Sequence, residues 1–157
     1  MEISDTLKII FNFCDFMSQL SLASTCTYYR NNLHIIDLFN IDNKYLQKLT
    51  HVISQFAIFE KVIYLNARNN WKITNVSHMK SLQILYASGD CGINQQGIEG
   101  LNLLEFNASN NSKITNISQM KSLQILYANG DCGINQQGIE GLNLIKLYAS
   151  HNSKISH

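Results

Sequence analysis

The chain has 157 residues, 45% of them apolar and 15% charged, with a formal net charge of +1. That is hydrophobic enough to fold rather than stay disordered, and it fits one ordinary soluble unit or a small module joined to a second. Lys and Arg form no run, so the electrostatic footprint of a nucleic-acid or anionic-membrane binder is missing, and no apolar stretch is long enough to span a bilayer.

The N-terminus, Met1-Glu2-Ile3-Ser4-Asp5, is acidic where a secretory signal would be basic, which predicts an intracellular, cytoplasmic protein. Ile3, Leu7, Ile10, Phe11 and Cys14 then recur at three- and four-residue steps and predict a first helix with one apolar face. Asp15 and Ser18 can cap a second helix carrying Leu20, Leu22 and Ala23, and Thr25 to Asn32 continues as a third with Tyr28 and Tyr29. Three short helices cannot hide all of this apolar surface.

The runs Leu7-Lys8-Ile9-Ile10-Phe11-Asn12-Phe13, Leu20-Ser21-Leu22-Ala23-Ser24-Thr25-Cys26 and Tyr29-Arg30 resemble, in order and spacing, the F-box. The resemblance implies a helical module over residues 1–33 that docks a Skp1-type adaptor and through it a cullin ubiquitin ligase. Leu7, Ile10, Phe11, Phe13, Leu20, Leu22 and Tyr29 would be the docking residues.

Residues 34–61 read as a connecting cap. Ile36, Phe39 and Ile41 sketch an imperfect strand, and Leu46, Leu49, Ile53 and Phe56 keep a helical rhythm, with no Gly/Ser/Pro linker between the modules.

From Val62 onward the pattern L-x-x-L-x-A-x-x-N/D-x-x-I repeats, starting at Val62, Leu82, Leu103, Leu123 and Leu144, with steps of 20 or 21 residues. Ile73–Lys113 reappears as Ile114–Lys154 with 33 identical positions, so the chain grew by copying two units at once. A period near twenty is the mark of a solenoid. In each unit the first, fourth and sixth residues, such as Leu82, Leu85 and Ala87, predict a short strand burying one face. Asn70, Asp90, Asn111, Asp131 and Asn152 are expected to form a polar column at the bends, and Ile73, Ile93, Ile114, Ile134 and Ile155 to turn back inward. Val76 and Met79, or Ile98 and Leu101, supply further core from return limbs too short for a full helix. The last unit has nothing after it that would cover it, which predicts either an exposed terminal edge or a truncation.

Residues 62–157 resemble the leucine-rich-repeat family, which implies an α+β architecture overall: a helical head joined to a solenoid with a parallel strand ladder. The combination, with the duplicated G-I-N-Q-Q-G-I-E-G-L-N-L, resembles the F-box and leucine-rich-repeat proteins of large amoeba-infecting viruses, implying a host cytoplasm.

The outward strand positions are Tyr64, Asn66 and Arg68; Ile84, Tyr86 and Ser88; Glu105, Asn107 and Ser109; Ile125, Tyr127 and Asn129; Lys146, Tyr148 and Ser150. Tyr and Ile are good strand formers anywhere, but five adjacent strands presenting them predict one concave face that docks an unidentified target protein. Of eight differences between the two copies, Ser88/Asn129, Glu105/Lys146, Asn107/Tyr148 and Asn110/His151 fall on or beside this face; three others, including Leu104/Ile145, are expected to be buried apolar exchanges.

No motif arranges chemistry. Cys14, Cys26, Cys91 and Cys132 lack metal-ligand spacing and are expected to be free, mostly buried thiols; Cys91 is doubled at Cys132, as structural copying does. No cofactor, metal or catalytic residue is expected. The N-x-S sequons at Asn75, Asn107, Asn110 and Asn116 are expected to stay unmodified. The reading is a two-part, non-enzymatic adaptor; the alternative is a stand-alone scaffold whose head only caps the solenoid.

Overall fold

The computed structural model describes residues 62–156 and, ahead of them, the backbone of Asp37–Leu38. The expected F-box-like helices with their docking residues, most of the connecting cap, Cys14 and Cys26 lie outside the described residues.

Among the described residues six strands form one parallel sheet in chain order: β1 (Asp37–Leu38), β2 (Tyr64–Asn66), β3 (Ile84–Tyr86), β4 (Glu105–Asn107), β5 (Ile125–Tyr127) and β6 (Lys146–Tyr148). Each parallel pairing needs a long return connection, and from β2 onward each return is the rest of one coil, giving a parallel-strand solenoid. β1 falls inside the stretch marked by Ile36, Phe39 and Ile41, and its pairing of Asp37 with Tyr64 and Leu38 with Leu65 extends the ladder ahead of the first full repeat.

The register sets the faces. Leu65, Leu85, Phe106, Leu126 and Leu147 lie opposite one another along the ladder, and the first four are fully buried. Ala67, Ala87, Ala108, Ala128 and Ala149 form a second inward column. Ile73, Ile93, Ile114, Ile134 and Ile155, with Val76, Met79, Ile98, Leu101, Ile117 and Met120, close the interior from the return limbs. Each large side chain so enclosed stabilises the fold by about 1.5–3 kcal/mol, and only stacked neighbours make the enclosure possible. Where the repeat is 21 residues long the return limb tightens into a short 3-10 turn, at Gln96–Ile98 and at Gln137–Ile139; no α-helix occurs among the described residues.

The bend after each of β2 to β6 uses one left-handed residue: Asn69, Gly89, Asn110, Gly130 and His151 all have φ between 54° and 65°. Asn, His and above all Gly tolerate this region. The residues just past this bend depart from the expected polar column. Asn70, Asn111 and Asn152 are buried as anticipated, but Asp90 and Asp131 face solvent, and Cys91 and Cys132 point inward instead. The inward position alternates Asn, Cys, Asn, Cys, Asn, shifted by one residue in the Cys coils, because burying an ionised carboxylate costs far more than burying a neutral thiol.

The two kinds of coil interlock. Asn111 donates through Nδ2 to the carbonyls of Ala87 (2.9 Å) and Ile93 (3.1 Å) in the coil before it, and its Oδ1 accepts from the Lys113 amide at 3.1 Å. Asn152 repeats this on Ala128 and Ile134 at 2.9 and 3.0 Å. Lys113 and Lys154 add bonds from Nζ to the Cys91 and Cys132 carbonyls. Buried backbone acceptors are thereby satisfied across coils rather than within them.

Candidate functional site

Outward side chains of the strand ladder form three rows. The first is Tyr64, Ile84, Glu105, Ile125 and Lys146; the second is Asn66, Tyr86, Asn107, Tyr127 and Tyr148. The third, just past the strands, is Arg68, Ser88, Ser109, Asn129 and Ser150. Parallel in-register pairing places members of a row about 4.8 Å apart, so every predicted target-face residue belongs to one continuous ribbon. Tyr64, Arg68, Lys146 and Tyr148 are exposed, and the residues between them on the first two rows are half-buried. Ser88 departs from the expectation: it is buried and presents nothing.

The second row carries an aromatic ladder. Tyr127 and Tyr148, on adjacent strands, stack with centroids 4.6 Å apart and planes 6° from parallel, a separation that simply reproduces the strand spacing. Tyr86 lies beyond Asn107, and its ring meets that of Tyr127 edge-on at 6.4 Å and 63°. The Tyr86 hydroxyl donates to Glu105 Oε1 at 2.7 Å. Burial, then this bond and the adjacent carboxylate, raise the Tyr86 phenol well above its ordinary value. Tyr127 is raised as well, by desolvation and then by the charge of Glu105. Both phenols stay neutral at any physiological pH.

Polar members of the ribbon are tied down. Asn66 and Asn107 accept through Oδ1 from the amides of Arg68 (3.2 Å) and Ser109 (3.1 Å), holding the ends of β2 and β4. Asn129 donates through Nδ2 and its backbone amide to Ser109 Oγ, both at 3.2 Å, and accepts from the Ser150 amide at 2.9 Å. The ribbon is therefore a pre-ordered surface, apolar and aromatic at its centre, with one carboxylate between two cationic ends. It is a face rather than a cleft.

Cys91 and Cys132 belong to the interior. Burial pushes the Cys91 thiol up to about 11, against the smaller opposing pull of the Ile93 amide and Lys113, and Cys132 is raised for the same reason. That is the reverse of an activated nucleophile. Both are free thiols, and no group of three or more His, Cys, Asp or Glu side chains among the described residues could hold a metal ion. Among those residues, too, no helix is long and apolar enough to cross a membrane.

Two exposed features escape the strand pattern. The exchange Leu104/Ile145 is not buried, since Leu104 is 37% and Ile145 71% exposed. Trp71, at the bend after β2, is 64% exposed with the Lys72 ammonium 5.4 Å above its ring. Both sit at positions whose inward or outward sense depends on the bend, which strand alternation does not encode.

No protein-family model, no curated protein and no solved structure matches this chain.

Proposed function

We propose that this is a substrate-recognition adaptor of a ubiquitin ligase of the Skp1-cullin-F-box type, built from a leucine-rich-repeat arc that holds a target protein and an F-box-like head that docks Skp1. The observation that carries the target-binding half is the in-register ribbon, where Tyr86, Tyr127 and Tyr148 flank a single carboxylate on an outward face of the solenoid. Rigid aromatic side chains concentrate binding energy at protein interfaces because they bury much area for little lost freedom. The head half is supported by the order and spacing of Leu7, Ile10, Phe11, Phe13, Leu20, Leu22 and Tyr29.

The deciding experiment expresses the full chain in eukaryotic cells and captures what co-purifies. Skp1 and a cullin are expected with the native chain, and Phe11→Asp with Leu20→Asp should remove both while leaving the far-ultraviolet spectrum of the repeats intact. Capture of a target without Skp1 in either form would instead identify a stand-alone scaffold.

A further inference from the structure

Glu105 stands apart on the ribbon. It is half-buried, with Ile84 and Ile125 as its register neighbours on either side. Among the described residues no cation pairs with it, and the Tyr86 hydroxyl occupies one carboxylate oxygen. Apolar neighbours lower the local dielectric and strengthen whatever ion pair forms there, and the same isoleucines can cover the methylene stem of a long basic side chain. The ring of Tyr127 lies one strand over, close enough for the carboxylate to perturb its phenol.

We propose that Glu105 and Tyr127 form a receptor for an arginine side chain of an extended protein segment lying across the strands. This rests on the strand face being the target-binding surface. Arginine fits better than lysine, because a planar guanidinium can bond the remaining carboxylate oxygen through one edge and pack its weakly hydrated plane beside the outer edge of the tyrosine row at once. The carboxylate argues against a nucleic-acid backbone, whose phosphates it would repel.

The duplication fixes the neighbouring preference. The counterpart of Glu105 in the second copy is Lys146, on the same row two strands away, about 10 Å at the spacing of parallel strands. An extended segment advances about 3.3 Å per residue. The arginine is therefore paired with an acidic residue about three positions along, which Lys146 takes. Glu105 thus selects a cation at the middle of the face and Lys146 an anion at its β6 end.

The test pans a phage library of short random linear peptides on the full chain. Enriched peptides should carry Arg with Asp or Glu about three positions away. A synthetic enriched peptide should lose about tenfold or more in affinity on Glu105→Gln, the same when its arginine becomes glutamine, and no more when both are changed. Enrichment without arginine, or affinity indifferent to Glu105→Gln but lost on Tyr127→Ala, overturns the arginine receptor and leaves the docking face standing. Peptides that bind equally well to Tyr86→Ala, Tyr127→Ala and Tyr148→Ala chains, or a library that yields no binder, overturn both. Preferential capture of a single-stranded oligonucleotide overturns the protein-segment assignment.

Discussion

The side-chain amide of Asn111 lies 2.9 Å from the carbonyl of Ala87, a residue 24 positions earlier and one coil away. With its second bond to Ile93 this makes Asn111 a buried brace between stacked coils, and removing it leaves two interior carbonyls without a donor. Asn111→Ala is expected to cost about 3 kcal/mol, at the upper end of the penalty for stranding buried polar groups. Asn152→Ala removes the matching bonds to Ala128 and Ile134 and, at 4% exposure against 1% for Asn111, should cost slightly less. Urea denaturation of the two variants gives the comparison.

The sequence made much of this visible because the solenoid repeats its own code. Leu65, Leu85, Phe106 and Leu126 announce the inward strand positions, and their register comes from a period that barely varies. The alternating brace was hidden. Ala67 to Asn70 spans three residues and Ala87 to Cys91 four, so a fixed template picks Asp90, while the fold chooses whichever of two successive side chains can be buried without charge. The ribbon residues were legible as outward positions, but the Tyr86 bond to Glu105 was not. It depends on how far a phenol reaches across strands, which alternation says nothing about.

Cys91 and Cys132 should behave as interior residues. With the Cys91 thiol raised to about 11 and Cys132 raised likewise, the thiolate fraction at neutral pH is very small, and burial blocks access besides. Iodoacetamide at mildly alkaline pH is expected to leave both unlabelled in the native chain and to label both in urea. Peptide mass spectrometry reads each cysteine separately, and rapid native labelling of Cys91 would contradict its place in the core.

At Gly89 two constraints coincide. Its φ of 65° is left-handed, and a Cβ there would collide with Asn69 Oδ1, the same atom that accepts from the Asp90 amide at 3.3 Å. Gly89→Ala therefore strains the backbone and disrupts the link between adjacent bends, and a loss of about 1–3 kcal/mol is expected from thermal or chemical denaturation. Ala at Gly100, where φ is 69° but the nearest contact is the flexible Lys80 ammonium, should cost less.

Tyrosine ionisation reports on the ribbon. The phenols of Tyr86 and Tyr127 are raised above the ordinary 10.0, so keeping them neutral contributes stability that is fully present below pH 10 and is lost as pH climbs through their folded values. Phenolate absorbance should show a late-titrating fraction well above pH 10 that shrinks in Tyr86→Phe. Glu105→Gln, by removing the charge and weakening the bond, should bring the remaining Tyr86 transition down. An unaltered titration in Glu105→Gln would mean that the pair is not formed in solution.

The contribution of a strand leucine should depend on which coil carries it. Leu126 and Leu147 share one inward column, but Leu126 is sealed between coils while Leu147 is 37% exposed, beside Ile145 at 71% and the half-buried Leu142 and Leu144. In a solenoid each coil is stabilised by its two neighbours, and in this structure β6 has a neighbour on one side only. Leu126→Ala creates a cavity and is expected to cost about 3 kcal/mol or more, whereas Leu147→Ala, with water already at its side, should cost about 1 kcal/mol. Hydrogen exchange should agree: the amides of Ile145 and Lys146, which donate to the Gln124 carbonyl at 2.8 and 3.0 Å, should exchange faster than those of Leu104 and Glu105 in the equivalent positions two coils inward. Equal costs for the two alanines would mean that another surface covers the end of β6 in solution, a result that sedimentation would register as self-association.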